Sequence, residues 1–468
     1  MKTTISKNII IEEPTKNIID WCKEKLILDN PEYKQMKRMG KDNVIKWKHI
    51  PEKLELFSNI WGKIEVPFGC LYALWPEIKK HPYILDFNDS GNISIKDDLP
   101  TYEPFDYQEE AISNMLKAKG GVLTSSCGSG KTLMGIELIR RIGKKTLWLC
   151  HTGDLLTQTK TAMLEQYPNI KIGLTTQGKL EIGEDVTIST VQTLVNIDPD
   201  LYKDKFDVVI CDECAHVSGS ITKIQMFSKV LSKIPARYKF GLTATPSRSD
   251  GLINSMYAYL GCNLDGEFKP TFKVNSSKVK TIGSIHEAIE LENGYNEFNL
   301  YKICDASGMT DYNKLISSLC DNEERTNKII ENILSCHNEG RKQVVLTLRK
   351  QHCEDITNKL KEKGIKVYYI ASKLTPKKRE EIIKQKVEWD VIVATYSLLK
   401  EGVNIKELDT LHLTTPSKDK AMIVQCAGRI ERYIENKKQP IVYDYVDIDI
   451  PYCVNAYKKR KGYLKRRF

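Results

Sequence analysis

The sequence predicts an α/β protein in which two parallel-sheet domains follow one another, after a small N-terminal α+β domain. From Phe105 onward, apolar segments such as GGVLTSS, KTLWLCH, DVTIST and FDVVICDE alternate with helical patterns. Strands that are apolar along their whole length and separated by helices indicate a parallel sheet covered on both faces. The alternation weakens over residues 262–301 and resumes with KQVVLTL, KVYYIAS, DVIVATY, DTLHLTT and QPIVYDYV. The two runs therefore predict two α/β domains in series.

The composition is that of a globular chain. Of 468 residues, 41% are hydrophobic and 28% are charged, and no apolar stretch reaches the roughly 18 residues of a membrane span. The first residues, MKTTISKNIIIEEPTKN, carry charge and proline where a secretory signal is apolar. The 13 cysteines are odd in number and scattered through apolar segments, a pattern typical of reduced thiols. We therefore expect a soluble, cytoplasmic protein with no membrane partner.

Three domains are predicted along the chain. Residues 1–100 contain four of the six tryptophans, and this aromatic density favours a packed accessory domain, with nucleic-acid binding as one role for it. Residues 88–104 are polar and contain proline, as a turn and linker do. The first α/β domain, with the nucleotide site, is expected at 101–262. A linker and the second α/β domain, with a basic tail, are expected at 263–468.

The segment LTSSCGSGKT, residues 123–132, lies between a predicted strand and a predicted helix, which is the setting of a phosphate-binding loop. Backbone N–H groups of such a loop surround the β-phosphate. Lys131 is expected to reach the β- and γ-phosphates, and Thr132 is expected to offer a hydroxyl ligand to Mg²⁺. Ser125 stands where the common pattern has its first glycine. The expected nucleotide-binding residues of the loop are Ser126, Cys127, Gly128, Ser129, Gly130, Lys131 and Thr132.

The second half of a nucleotide site is predicted at FDVVICDECAH, an apolar strand that ends in Asp212 and Glu213. In parallel sheets, ligands bind beyond the carboxyl ends of the strands. Asp212 is expected to hold Mg²⁺, and Glu213 to orient or deprotonate the attacking water. Taken alone, the loop could be a solvated glycine and serine turn, and the two acids a solvated strand end. Their joint occurrence favours the nucleotide site.

Several segments together resemble the motifs of superfamily 2 helicases and translocases. DECAH resembles their DEAH/DExH box, and GLTATPSRSDG, residues 241–251, is similar to motif III. LCHTGDLLTQ (149–158) resembles motif Ia, ATYSLLKEGVNI (394–405) motif V and QCAGRIER (425–432) motif VI. The resemblance covers about residues 105–450 and is nearest to the XPB/UvsW-type branch, which includes phage and large-virus helicases. It implies two RecA-like domains, with ATP hydrolysed to ADP and phosphate in the cleft between them.

The resemblance also implies roles at the nucleotide. Gln108, in FDYQEEAI, would recognise adenine, with Phe105 or Tyr107 near the base. Gln425, Arg429 and Arg432 would reach the γ-phosphate from the second domain. An arginine brought in from another domain stabilises the charge that develops in phosphoryl transfer. The three residues are spaced i, i+4 and i+7, so one face of a helix would present them together.

A further set of residues is expected to link the ATP site to nucleic acid. By the resemblance, His216, Thr243 and Thr245 couple the two sites, while Gly402 and Thr395 of motif V sense both. The expected nucleic-acid contacts are Thr152, Thr190, Thr395, Lys458, Arg460 and Arg466.

Charge points to a polyanionic partner. The formal net charge is +10, and KKRKGYLKRR, residues 458–467, carries seven positive charges and no acid. Such like charges are expected to face solvent, either contacting phosphates or only aiding solubility. YKQMKRMGKDNVIKWKH, residues 33–49, interleaves basic and aromatic residues and could bind nucleic acid or be a solvated face over a small core. DNA is favoured over RNA, because relatives in this branch act mostly on duplex or branched DNA.

Three functions remain open from the sequence. The first is an ATP-dependent DNA helicase or translocase that remodels forks, junctions or R-loops. The second is the motor of a restriction system, although residues 1–100 show no convincing nuclease motif. The third is an RNA-dependent ATPase that acts on RNA or transcription complexes. ATP and Mg²⁺ are the expected cofactors, in a bacterial, phage or viral setting.

Overall fold

The computed structural model describes the chain except for residues 39–49, 127, 177, 216–220, 245, 247–251, 276–278, 280–281, 293, 295–299, 306–307, 371–387, 397–404 and 466–468. The chain divides into two compact units, Met1–Ser126 with Gly130–Lys278, and Cys127–Ser129 with Val279–Phe468. No helix among the described residues is long and apolar enough to cross a membrane.

The N-terminal part of the first unit is a five-stranded sheet with helices. Its elements are β1 Lys2–Ile5, β2 Asn8–Glu12, α1 Lys16–Lys25, β3 Ile27–Asp29, α2 Pro31–Arg38, β4 Lys53–Glu55, β5 Ser58–Ile60, β6 Lys63–Pro67, α3 Leu71–Ile78 and β7 Tyr83–Leu85. The strand order is β5-β6-β2-β1-β7, antiparallel except for the pair of β1 and β7, while β3 and β4 form a separate antiparallel pair. This part has the α+β character that was predicted.

A seven-stranded parallel sheet follows in the same unit. Its elements are α4 Asp106–Ala118, β8 Gly120–Thr124, α5 Lys131–Ile142, β9 Thr146–Cys150, α6 Gly153–Gln166, β10 Ile172–Thr175, β11 Val186–Thr190, α7 Val191–Leu194, β12 Val208–Asp212, α8 Ile221–Leu231, β13 Tyr238–Thr243, α9 Ile253–Leu260 and β14 Phe272–Lys273. The strand order is β10-β11-β9-β12-β13-β8-β14. The chain thus adds β14 to this sheet after residue 262.

The second unit contains a six-stranded parallel sheet. Its elements are β15 Ile285–Leu291, α10 Tyr312–Asp321, α11 Glu323–Asn338, β16 Gln343–Thr347, α12 Lys350–Glu362, β17 Val367–Ile370, β18 Val391–Thr395, β19 Thr410–Leu413, α13 Lys420–Ile430, β20 Ile441–Asp447 and α14 Pro451–Lys465. The strand order is β15-β20-β19-β16-β18-β17. The predicted tandem of two parallel-sheet domains is confirmed.

The strands β16, β19 and β20 of the second sheet are buried along their whole length, as the sequence predicted, whereas β17 is half-buried over three of its four residues. On β16, Val344 and Leu346 belong to one apolar cluster, and Val345 belongs to another. Because successive side chains of a strand point to opposite faces, the two clusters cover the two sides of the sheet. A continuous apolar run is therefore the pattern that such a strand requires.

One apolar cluster joins the two sheets of the first unit. Ile5 and Ile64 of the N-terminal sheet belong to the same buried cluster as Val122 and Val209 of the parallel sheet. Gly69 lies so close to the helix α9 that a Cβ atom there would stand 2.4 Å from a backbone carbonyl oxygen. The N-terminal sheet is therefore packed against the parallel sheet, and the three-domain division at residues 100 and 262 stays a prediction.

Candidate functional site

The phosphate-binding loop has the predicted setting, since β8 ends at Thr124 and α5 begins at Lys131. Gly128 and Gly130 have φ angles of 80° and 79°, in the left-handed region that favours glycine. A Cβ atom on Gly130 would also lie 2.3 Å from Gln108 Nε2. Glycine is therefore required at Gly130 by backbone conformation and by space. Cys127 lies outside the described residues.

Lys131 folds back over the loop. Its ammonium donates hydrogen bonds to the carbonyls of Ser125 and Ser126, at 3.3 and 3.1 Å. The hydroxyl of Ser125 is buried and has no hydrogen-bond partner in the described part of the chain. A cation and an unpaired hydroxyl at a helix N-terminus suit an anionic ligand such as a phosphate. Thr132, the next residue of α5, is half-buried.

Asp212 ends β12, a strand whose five residues are all buried. Burial raises the pKa of Asp212 to about 7, the Glu213 carboxylate adds to the rise, and the Lys131 ammonium opposes it. A buried carboxylate beside a second acid suits a divalent cation, and Mg²⁺ prefers oxygen ligands. Asp212 and the Thr132 hydroxyl therefore fit the predicted magnesium ligands in chemical type.

Glu213 departs from ordinary backbone geometry. Its φ angle is 48°, which is uncommon for a residue other than glycine. Its backbone N–H donates to Asp212 Oδ1 at 2.9 Å. Strained conformations of this kind occur where the surrounding structure holds a side chain in place, and they concentrate at functional sites.

Thr243 lies between the two halves of the site. It ends β13, and β13 separates β8 from β12 in the sheet. Its carbonyl accepts a hydrogen bond from the Ser125 N–H at 3.1 Å, so it touches the phosphate-binding loop directly. The coupling role that the resemblance implies for Thr243 stays a prediction. Thr245 and His216 lie outside the described residues.

Gln108 also makes a structural hydrogen bond that the sequence analysis did not predict. Its Oε1 accepts the Phe105 N–H at 2.9 Å, which is one half of a capping box at the start of α4. The Phe105 side chain has no oxygen to make the other half, so the sequence lacks the full capping-box pattern. The Phe105 ring is 53% exposed and stacks on Tyr107 with 5.9 Å between ring centroids. One exposed aromatic ring, Phe105, is therefore present beside Gln108, and it stacks on the buried Tyr107.

Helix α13 of the second unit carries Gln425 and Arg429 but ends at Ile430. The Glu431 carbonyl accepts the Ile282 N–H at 2.9 Å, and its carboxylate accepts the Ser284 hydroxyl at 2.7 Å. Glu431, the residue that follows the helix, is thus bonded to residues 282–284. The prediction that one helical face presents Gln425, Arg429 and Arg432 is therefore wrong for Arg432, which lies beyond the helix.

The threonines expected to contact nucleic acid all follow or end parallel strands. The hydroxyls of Thr152 and Thr190 accept the N–H groups of Leu155 and Thr193, so each threonine caps the helix that follows it. Their strands β9 and β11 are neighbours, which brings the two caps to the same edge of the first sheet. In the second unit, Thr395 ends β18. Gly402 and Arg466 lie outside the described residues, as do residues 39–49 of the basic N-terminal segment.

The prediction that the basic C-terminal tail faces solvent is wrong for Arg460. This residue lies on α14, is 1% exposed, and bonds both carboxylate oxygens of Asp444 at 2.7 and 2.6 Å. The buried positions of α14 are Cys453, Ala456, Arg460 and Leu464. That spacing of three and four is the stripe that a helix turns toward a core, so helical phase could have identified Arg460. Lys458 is exposed, as predicted.

Comparisons with known families extend over both units. Residues 101–248 match the model described as Type III restriction enzyme, res subunit, and residues 324–433 match the helicase conserved C-terminal domain. The first match contains the strands β8–β13 and the second contains β16–β19, while β14, β15 and β20 lie outside both. The motifs of the phosphate-binding loop and of α13 lie inside them.

Similar proteins include named helicases, and a solved structure has a similar fold. The chain is 24% identical over 361 residues to the putative ATP-dependent RNA helicase L396 of Acanthamoeba polyphaga mimivirus, covering 77% of this chain and 66% of the relative. It is 24% identical over 360 residues to the ATP-dependent DNA helicase uvsW of Enterobacteria phage T4, covering 74% and 68%. The fold is similar to that of S. cerevisiae Dbp5 bound to RNA and ADP BeF3, with a TM-score of 0.54 at 15% identity, covering 78% and 88%.

Proposed function

Because the chain belongs to the superfamily 2 helicases, in the branch that contains XPB and UvsW, we propose that it is an ATP-dependent translocase that remodels duplex or branched DNA. The observation that supports the proposal is that the phosphate-binding loop and Asp212 lie at the same edge of the first parallel sheet. The strand β8, which leads into the phosphate-binding loop, and the strand β12, which ends in Asp212, are separated only by β13 in the parallel sheet. Burial raises the pKa of the Asp212 carboxylate, and the Lys131 ammonium accordingly opposes that rise, although 81 positions separate the two residues. Phosphoryl transfer needs a phosphate cradle and a metal ligand in this relation.

In this proposal the residues divide the chemistry of ATP hydrolysis. The loop N–H groups and Lys131 bind the phosphates, and Asp212 and Thr132 hold Mg²⁺. The metal neutralises charge on the phosphate oxygens. Glu213 accepts a proton from the attacking water or orients it. Gln425, Arg429 and Arg432 of the second unit act on the γ-phosphate.

Replacing Arg432 by Ala is expected to lower kcat for ATP hydrolysis by about 10³-fold or more, with a much smaller change in KM. The reason is that charge on the γ-phosphate oxygens is greatest in the transition state. Steady-state ATPase kinetics in the presence of DNA measure both constants. An effect confined to KM would make Arg432 a ground-state contact.

The choice of DNA over RNA is tested by an ATPase panel. Single-stranded, duplex, forked and four-way DNA and RNA are each titrated into the protein with ATP and Mg²⁺. We expect forked or four-way DNA to stimulate hydrolysis most. Stimulation by RNA alone would favour an RNA-dependent ATPase, and the mimivirus relative is named a putative ATP-dependent RNA helicase.

A second candidate function is the motor of a restriction system, and the match of residues 101–248 to a restriction-enzyme subunit favours it. Such a motor acts with a nuclease. Incubating circular duplex DNA with the protein, ATP and Mg²⁺ tests for cleavage by this chain. Linear products that depend on ATP would support the restriction function over the remodelling one.

The exposed lysines of α14 are proposed to contact DNA phosphates. Replacing Lys458 and Lys461 by Gln is expected to weaken DNA binding at low salt. It should also flatten the slope of log affinity against log salt by roughly 0.9 for each lost phosphate contact. Binding titrations at several salt concentrations measure this slope. The matched control replaces Lys361 and Lys363, two exposed lysines of the same unit, and equal slopes in all three proteins would favour a role in solubility.

A further inference from the structure

Residues 414–418 join β19 to α13, and they are held by an unusual set of hydrogen bonds. Five successive backbone carbonyls of this segment each accept a hydrogen bond from a side chain elsewhere in the second unit. The pairs are Thr414 O with Arg325 Nη2 at 2.7 Å, Thr415 O with Tyr396 Oη at 2.9 Å, Pro416 O with Tyr312 Oη at 3.1 Å, Ser417 O with Arg460 Nη1 at 3.1 Å and Lys418 O with Tyr463 Oη at 3.4 Å. Surrounding elements therefore fix the segment, which has no regular secondary structure of its own.

The two arginine donors are themselves anchored. Arg325 binds both carboxylate oxygens of Asp447, at 2.6 and 3.0 Å, and Arg460 binds both oxygens of Asp444. Both aspartates lie on β20 and are fully buried. Paired, buried charges of this kind hold one geometry, because any displacement leaves a charge without its partner. The segment is thus tied to the rigid centre of the sheet at Thr414 and Ser417.

Tyr396 differs from the other donors in its place along the chain. It directly follows Thr395, the end of β18 and a proposed nucleic-acid contact. Its side chain is 1% exposed. Burial raises the pKa of the Tyr396 phenol well above its usual range, so the hydroxyl keeps its proton and donates to Thr415 O. A shift of the backbone at Thr395 therefore pulls on the middle of the segment.

The other end of the segment leads into the helix that carries Gln425 and Arg429. Asp419 follows Lys418 and caps α13, with its carboxylate accepting the Met422 N–H at 3.0 Å. Because carbonyls 414–418 are all held, the segment has little freedom to absorb a displacement. A movement that enters at Thr415 is passed to the first turn of α13.

We infer that Tyr396 is a positioning residue that transmits nucleic-acid binding at Thr395 to α13, and so to Gln425 and Arg429. The inference rests on the proposed function, and adds the route by which DNA changes the rate of ATP hydrolysis. The physical link is the hydrogen bond from the Tyr396 hydroxyl to Thr415 O, together with the continuous chain from the 414–418 segment to the Asp419 cap of α13.

The test replaces Tyr396 by Phe, which removes the hydroxyl and keeps the ring. ATPase rates are measured with and without saturating DNA, and their ratio is the degree of stimulation. We expect the ratio to fall by about fivefold or more, the lower range of a typical coupling between two sites. The loss should appear in kcat with DNA bound, while the KM for ATP stays near that of the wild type.

Tyr312→Phe is the matched control. It removes the same kind of bond from the next carbonyl, Pro416 O, but Tyr312 comes from α10 and adjoins no proposed nucleic-acid contact. Tyr396→Phe should lose more thermal stability than Tyr312→Phe, because the Tyr396 bond is buried whereas Tyr312 is 38% exposed and water can replace its hydroxyl. Stability alone therefore does not decide the test, and the ratio of stimulation does. Only Tyr396→Phe should lose stimulation.

The outcomes separate this inference from the proposed function. Full stimulation in Tyr396→Phe, or equal loss of stimulation in both variants, would overturn the role of Tyr396 while leaving the enzyme a stimulated ATPase. A wild-type ATPase that no nucleic acid stimulates would overturn the proposed function, and the coupling role with it.

Discussion

Replacing Glu213 by Gln is expected to slow ATP hydrolysis by about 10²- to 10⁴-fold while ATP still binds, because the variant loses the proton acceptor but keeps the magnesium ligand. Asp212 remains at the end of β12, and the φ angle of 48° at Glu213 is a backbone property that Gln can adopt as Glu does. Single-turnover hydrolysis and titration with a fluorescent ATP analogue measure the two quantities separately.

Lys131→Ala is the comparison for this variant. In the wild type, the Lys131 ammonium donates hydrogen bonds to the loop carbonyls of Ser125 and Ser126. Removing it should abolish hydrolysis by weakening the binding of the phosphates themselves. If Glu213→Gln lost ATP binding as severely as Lys131→Ala, the division of roles between Asp212 and Glu213 would be wrong.

Replacing Arg460 by Ala is expected to destabilise the protein by about 3–5 kcal/mol, because it leaves the Asp444 carboxylate buried without its partner. Asp444 is fully buried, and among the described residues His286 Nε2 also contacts it, at 3.2 Å. The carbonyl of Ser417 loses its donor as well. Urea denaturation followed by circular dichroism measures the free energy of unfolding.

Two further variants sharpen the stability test. Lys459→Ala, one residue away on the exposed side of α14, should stay within about 0.5 kcal/mol of the wild type. Arg460→Met combined with Asp444→Leu should recover much of the loss, because no buried charge is left unpaired. An Arg460→Ala variant as stable as Lys459→Ala would show that the ion pair does not hold α14 to β20.

Deleting residues 458–468 would also remove the buried Arg460. That deletion is therefore a poor test of DNA binding, because it changes stability as well as surface charge.

The parts of the site that follow from short stretches of chain were predictable. Gly130 sits between an apolar strand and an amphipathic helix, and its left-handed backbone is a local requirement that only glycine meets easily. Asp212 and Glu213 come at the end of an apolar strand, and the rule that ligands bind beyond carboxyl ends places them at the edge of the sheet. Both features depend on residues within a few positions of each other.

The predictions for Arg432 and Arg460 are wrong because contacts between residues far apart in the sequence determine where these side chains lie. Arg432 lies outside α13, and Glu431 beside it bonds with Ile282 and Ser284, about 150 positions earlier. Arg460 was grouped with its lysine neighbours by charge, although its helical phase turns it toward Asp444 on β20. A run of like charge describes composition, whereas burial depends on which face of the helix meets the sheet.

The sequence by itself determined the α/β class, the tandem order of the two sheets, the phosphate-binding loop at Lys131 and the acids at Asp212 and Glu213, because periodicity and backbone requirements are local. Only the tertiary structure decided that Thr243 lies between those motifs, that Arg460 is buried, and that Tyr396 and Tyr312 hold successive carbonyls. The Tyr312 hydroxyl and its carbonyl are 104 positions apart in the chain. Their meeting depends on how helices pack on a sheet, and no local pattern of residues encodes that packing.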